Sequence, residues 1–453
     1  MARKMRDSGV AVGKNFHAEA QRGRGAEKMK PSGIPWIGEI PEGWEVGRVK
    51  NSFYHTKEVV KERAAEFDRL ALTLQGVIKR PKEDTNGLQP KEFEGYQILR
   101  KNELVFKLID LQNISTSRVG RSSYDGIVSP AYIILHSRDN SCTAFACYYF
   151  MSMWMHNIFQ TLGGDAVRSC LNASDLLNVP LPLPPIAEQK AIADYLDEKC
   201  VAIDGAVDEL KRGIEDCKAW KKAIITEVTS VGLDDDVKLW QTELGWISNR
   251  PFYWKRNQLS SLCRRGITYG IVKLGEPCEN GVKVLRCSDV KDGYLDASNV
   301  RTVTPELSDE YKRTVLSGGE VIVNVRGTLG GCAIVPKEFS GANIAREVAL
   351  LDVEESKANP KFVMYTLLSS CFANYVGHEM AGAIYQGLNI ATLSKYSFYA
   401  PDIKEQQAIA DYLDEKCAAI DALVAEKEKL IADLETYKKS LIFELVTGKR
   451  EVA

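Results

Sequence analysis

The sequence predicts an α+β protein made of two tandem domains, each followed by a long helix, with the two helices pairing as an antiparallel coiled coil about a pseudo-twofold axis. Three observations lead there: an internal duplication, short β-rich runs inside each copy, and a heptad seam after each copy. The duplication comes first. Residues 187–204 read AEQKAIADYLDEKCVAID and residues 404–421 read KEQQAIADYLDEKCAAID, identical from Ile192/Ile409 through Cys200/Cys417. The same offset pairs Phe145 with Phe362, Tyr148 with Tyr365, Leu171 with Leu388, Asn172 with Asn389, Pro184 with Pro401, Ile214 with Ile431, Lys221 with Lys438 and Glu227 with Glu444. Nearer the front the offset shortens, and Trp36, Pro41 and Trp44 match Trp246, Pro251 and Trp254. Whole domains are therefore duplicated. Between these anchors the halves diverge, most clearly over 52–100 and 262–317. A kept frame around a changed part suits two different surfaces; simple drift after duplication is the plainer reading.

Within each half, Glu103-Leu-Val-Phe, Ala131-Tyr-Ile-Ile-Leu, Glu320-Val-Ile-Val and Val348-Ala-Leu-Leu are bounded by glycine and polar turns and read as strands. Residues 144–159 and 361–376 read as helices, followed by turns around Gly163-Gly164 and Gly382. Pro180, Pro182, Pro184 and Pro185 close the first domain and are expected to place proline in the first turn of the next helix, where a missing N–H costs nothing. The expected boundaries are a basic extension at 1–30, a first domain at 31–185, a central helical spacer at 186–232, a second domain at 233–400 and a C-terminal helical spacer at 401–453.

The spacers carry the third observation. Ile203, Val207, Leu210, Ile214, Cys217, Ile224 and Val228 follow a heptad spacing interrupted at Lys221, and Ile420, Val424, Lys427, Ile431, Leu434, Lys438, Leu441 and Leu445 repeat it. Each stripe alone would face water, so each is the natural partner of the other. Lys221 and Lys438 hold equivalent seam positions, either fixing one register or extending their ammonium groups past the seam edge. From Ile203 to Val228 such a helix rises roughly 38 Å at about 1.5 Å per residue. One turn of B-DNA is about 34–36 Å.

Composition removes several classes. At 453 residues, with 45% hydrophobic and 26% charged side chains, the chain suits two or three globular domains. The apolar run at 145–155 is about half of what a spanning helix needs, and no apolar stretch follows Arg3, Lys4 and Arg6, so neither a membrane span nor a secretory signal is expected. The cytoplasm is the expected location. Eleven cysteines stand singly and the histidines are dispersed, which predicts reduced thiols and no metal.

Taken together, Trp36-Ile-Gly-Glu-Ile-Pro-Glu-Gly-Trp44, Ser129-Pro-Ala-Tyr132, Leu171-Asn172, Pro182-Leu-Pro-Pro-Ile-Ala-Glu-Gln189, Arg346-Glu-Val-Ala349 and Leu388-Asn389 resemble the specificity subunit of type I restriction-modification systems, from Trp36 onward. The resemblance implies two target-recognition domains that each read half of a split, asymmetric site in double-stranded DNA, and an antiparallel coiled coil that sets the gap. It implies docking of two methyltransferase subunits and two motor-nuclease (restriction) subunits. It implies no cofactor here, with S-adenosylmethionine, ATP and Mg on the partners alone.

Members of this family commonly open near the Ser32-Gly-Ile-Pro-Trp36 stretch. Here residues 1–28 precede it, with Arg3, Lys4, Arg6, Lys14, Arg22, Arg24 and Lys28 against Asp7, Glu19 and Glu27. This segment is expected to be a disordered extension, with Met29 as an alternative start; a phosphate-touching arm is the other reading.

Candidate DNA contacts are Lys79 and Arg80, then Arg118, Arg121 and Ser122 in the first half, and Arg264, Arg265, Tyr269, Arg286, Arg326 and Thr328 in the second. Arginine can bridge guanine O6 and N7. The balance of 59 basic and 61 acidic side chains gives no global positive field, so the chain alone is expected to bind DNA poorly. Two catalytic patterns fail. Asn249-Arg-Pro-Phe252 has arginine where a methyltransferase turn needs proline, and Pro401-Asp402 with Asp414-Glu-Lys416 puts nuclease-like letters on a helix. A coiled-coil scaffold without DNA readout is the rival function; two large divergent domains are what it would not need.

Overall fold

The computed structural model describes residues 28–84, 92–109, 111, 118–138, 143–162, 170–327, 329–380 and 387–452. Residues 1–27 of the basic extension, the turns around Gly163-Gly164 and Gly382, and Thr328 lie outside the described residues. The end of the expected extension is ordered instead, Met29–Pro31 pairing as a strand with Glu39–Pro41 and the Lys28 carbonyl accepting from the Glu42 N–H. Two compact units form: Met1–Glu209 with Leu430–Ala453, and Leu210–Lys429.

Each unit is built around a four-stranded antiparallel sheet. In the first unit its order is Phe53–Tyr54, Ile133–Ser137, Leu104–Phe106 and Val119–Arg121. The second repeats the layout with Thr268–Tyr269, Val348–Leu351, Val321–Asn324 and Cys332–Ile334. The four runs read as strands from sequence are the inner pairs. Their continuous apolar character follows from burial on both faces. Leu104, Phe106 and Leu135 join the helix-covered core while Val105 and Ile134 face a second cluster with Leu70, Leu72 and Leu99. In the other unit Val321, Val323, Ala349 and Leu351 divide likewise from Ile322, Val348 and Leu350.

The covering helices differ from expectation, since each is broken in two. Thr143–Met155 stops before Ile158–Leu162, with Asn157 between them at φ +59°, a left-handed conformation that asparagine tolerates. Pro360–Leu368 stops before Ser370–Met380 at Ser369, whose Oγ donates to the Thr366 carbonyl and accepts from the Phe372 backbone N–H. The prolines also sit earlier than expected. Pro180 and Pro182 belong to the strand Pro180–Leu183, paired with Glu45–Arg48, and Pro185 gives its carbonyl to the Gln189 N–H just before the helix begins.

The long helices are Ile186–Val231 and Ile403–Val446. Their identical stretch is where each domain is fastened to its helix. Leu196 and Leu413 are fully buried, and the Tyr148 and Tyr365 hydroxyls each donate to the aspartate beside that leucine, Asp197 and Asp414, at 2.7 Å. The Trp44 indole donates to Glu188 at 3.0 Å and the Trp254 indole to Glu405 at 3.2 Å. Gln189 and Gln406, both buried, donate to the Pro184 and Pro401 carbonyls. One joint is thus made twice by repeated residues.

The helices pair through the expected seam. Ile203, Val207, Ile214 and Ile420 are buried, and Leu210, Val424, Ile431 and Leu434 are half-buried. Inside the first unit the Lys438 ammonium lies 2.7 Å from Asp204; inside the second, Lys221 lies 2.7 Å from Asp421. The same ion pair recurs with the roles of the two helices exchanged, as antiparallel pairing of repeated helices requires. Both lysine side chains are under 20% exposed, so their stems fill the seam while the ammonium groups reach aspartates at its edge.

Candidate nucleic-acid interface

The fold divides the predicted contact residues into those closed onto the protein and those left open. In the first unit Arg118 is 2% exposed, and its guanidinium donates to the Ile109 carbonyl at 2.9 Å and to Lys107 at 3.4 Å. Ser122 is 1% exposed and locks the turn at Tyr124 through both its hydroxyl roles. Neither is an open donor; both stabilise the edge strand Val119–Arg121 and its flanks. Arg121 ends that strand and pairs with Asp197 at 2.9 Å, which draws it into the domain-to-helix joint. Lys79 pairs with Asp68 at 2.6 Å and lies over the Tyr124 ring; its hydrogen bond to Asp68 raises the ammonium above its ordinary pKa. Arg80 pairs with Asp84 at 2.6 Å. Of these five, only Lys79 presents a side chain more than half exposed.

In the second unit Arg264 and Arg265 converge on one carboxylate, Asp352, at 3.4 and 3.2 Å. Arg286 makes a two-pronged pair with Asp289, through Nε at 3.1 Å and Nη2 at 3.0 Å, and Nη2 also reaches the Asn299 carbonyl at 2.6 Å. Asp289 is buried, so this fork organises a loop.

Tyr269 and Arg326 are different. With Val272 and Arg346 they line a cleft of about 120 Å³. Three segments make it. The chain leaving the strand Thr268–Tyr269 runs beside the turn before Val348–Leu351: Ile271 N–H donates to Ile344, and Arg346 N–H donates back to Ile271. Gly270 permits that approach, because a Cβ there would stand 1.8 Å from the Ile344 carbonyl oxygen. The third wall follows Val321–Asn324, where Val325 N–H bonds to Glu347 and the Arg326 backbone bridges to Gly387. The Arg326 stem passes over Gly387, whose added Cβ would lie 3.3 Å from Arg326 Cγ. Among the described residues the Arg326 guanidinium has no hydrogen bond or ion pair, and Arg346 has only Glu347 at 3.9 Å. Arg346 and Val272 were absent from the candidates read from sequence. Arg346 had a signal, its place just ahead of the core strand at 348–351 within the Arg346-Glu-Val-Ala349 stretch.

The catalytic look-alikes are occupied by structural contacts. Asp402 caps the Glu405 N–H, Asp414 accepts from Tyr365 and pairs with Lys361, and Lys416 lies over the Tyr412 ring. Arg250 donates to the Pro251, Phe252 and Trp254 carbonyls and stacks on Tyr399. Among the described residues no helix is long and apolar enough to cross a membrane, and no group of three or more potential ligand side chains is placed to hold a metal.

Comparison with known proteins agrees with this layout. The type I restriction-modification DNA specificity domain matches residues 42–203 and 254–432, once in each half. The chain is 25% identical over 285 residues to the type I restriction enzyme EcoBI specificity subunit of Escherichia coli, a match covering 62% of this chain and 60% of that one. It is 24% identical over 422 residues to the MjaVIII specificity subunit of Methanocaldococcus jannaschii, covering 91% and 94%. A solved chain from a study of complex assembly and conformational transition in the type I R-M system superposes with a TM-score of 0.65 at 15% identity, covering 90% of this chain and 99% of that one. With the family's domain present in both halves, this chain belongs to the type I restriction-modification DNA specificity family.

Proposed function

We propose that this chain is the DNA-reading subunit of a type I restriction-modification complex, in which each domain recognises one half of a split, asymmetric site and the paired helices set the gap. Two methyltransferase subunits and two motor-nuclease subunits dock on it and perform the chemistry, and S-adenosylmethionine, ATP and Mg are bound by those partners. The observation that carries the reading is one scaffold made twice: equivalent tyrosine–aspartate joints at Asp197 and Asp414 hold domains whose sequences diverge. The near-equal charge of the chain, 59 basic against 61 acidic side chains, fits a subunit that supplies base contacts while its partners supply much of the phosphate grip.

Methylation-sensitive sequencing of a host genome tests this. A split motif should be methylated when the gene and its methyltransferase partner are present and lose its mark when this gene alone is deleted. An unchanged methylation pattern on deletion would sink the proposal.

A further inference from the structure

We infer that Arg326 reads a guanine edge in the half-site belonging to the second unit, with Arg346 gripping the neighbouring phosphate. The inference rests on the DNA-reading function proposed above. It starts from elimination: Arg264, Arg265 and Arg286, the other arginines predicted in this unit, are each held by a carboxylate at 3.4 Å or less. Arg326 keeps its whole fork of N–H donors unengaged among the described residues, and the fork is what matches guanine O6 and N7.

Its direction is also built. The backbone at Val325 and Arg326 is tied to Glu347 and to the segment at Gly387-Leu388, Leu388 donating to Val325 at 2.8 Å, while the stem rests on a position that glycine keeps clear. The guanidinium thus projects from a fixed turn beside an exposed aromatic ring, Tyr269, and an exposed aliphatic side chain, Val272. A cleft of about 120 Å³ is well below the ~300 Å³ at which small-molecule pockets begin, so a base edge fits its size better than a free ligand. Arg346 keeps a partial tie to Glu347 and sits at the rim, 46% exposed, which suits charge contact with phosphate rather than forked base reading.

The test uses the full chain assembled with its methyltransferase subunits and duplexes carrying the site that complex methylates, each guanine replaced in turn by 7-deazaguanine, which lacks only the N7 acceptor. At one guanine the replacement should weaken wild-type binding about tenfold and leave Arg326→Ala binding unchanged. Arg346→Ala should weaken binding to every duplex by one common factor and lower the slope of log affinity against log salt by about 1. If Arg326→Ala fails to assemble, Arg326→Lys carries the comparison, and its penalty at that guanine must fall below the wild-type value. Equal penalties in wild type and variant at every guanine, or no penalty anywhere, overturn the inference while leaving the parent function intact. Absence of any split methylated site overturns the parent function first.

Discussion

An arginine's five N–H groups either close onto the chain or stay open to a ligand, and the acceptors within reach, carboxylate or carbonyl, decide which. For Arg286 that carboxylate is Asp289, three residues on, and the pairing was open to reading from sequence. Arg121 and Arg264 are held by Asp197 and Asp352, which sequence separation hides; only the folded sheet and the helix joint bring them together. Arg118 makes the consequence measurable. Arg118→Ala leaves the Lys107 and Ile109 carbonyls without their donor and opens a hole, so it should cost about 2–3 kcal/mol in urea unfolding. A loss under 0.5 kcal/mol, the ordinary size for a surface change, would show that the guanidinium is not part of the core. His136, 7% exposed, adds a pH signature. Its Nδ1 lies 2.7 Å from Glu103, and that hydrogen bond raises the imidazolium above its ordinary 6.5. The pair therefore stabilises fully below pH 6.5, and its contribution fades as pH rises through the raised folded value. Melts of wild type and His136→Gln should differ most below pH 6.5 and converge as pH rises through the raised folded value; a gap that widens with pH contradicts the assignment.

Among elements, the inner strands and the long helices were legible because burial on both faces and heptad spacing leave direct marks on residue type. The breaks in the covering helices were not. Residues 144–155 are apolar nearly all round, so no stripe reports where the helix stops, and the stop is one left-handed residue, Asn157. The seam lysines were legible as exceptions and ambiguous in role. Their geometry joins the two readings, because stem packing and the aspartate contact occur together. Asp421→Ala should then cost only about 0.2–1 kcal/mol, since its carboxylate is 57% exposed. Lys221→Leu with Lys438→Leu should raise the thermal midpoint, by about 1 kcal/mol in stability, as apolar side chains fill the seam in place of lysine stems whose charges sit at its edge. A lowered midpoint would mean that the ion pairs, and not seam packing, hold the helices.

At the scale of the whole molecule, duplication explains both what is repeated and what is not. The contacts Trp44–Glu188, Tyr148–Asp197 and Lys438–Asp204 return as Trp254–Glu405, Tyr365–Asp414 and Lys221–Asp421. Either domain should therefore fit either helix. That interchangeability allows a direct trial of the central claim, that each domain reads its own half of the site. The segment between Trp246 and Pro401 is replaced by the segment between Trp36 and Pro184, and the motif methylated by the resulting complex is sequenced. Two copies of one domain on antiparallel helices should recognise a split inverted repeat of a single half-sequence. Survival of the original asymmetric motif, or a contiguous one, would contradict the account.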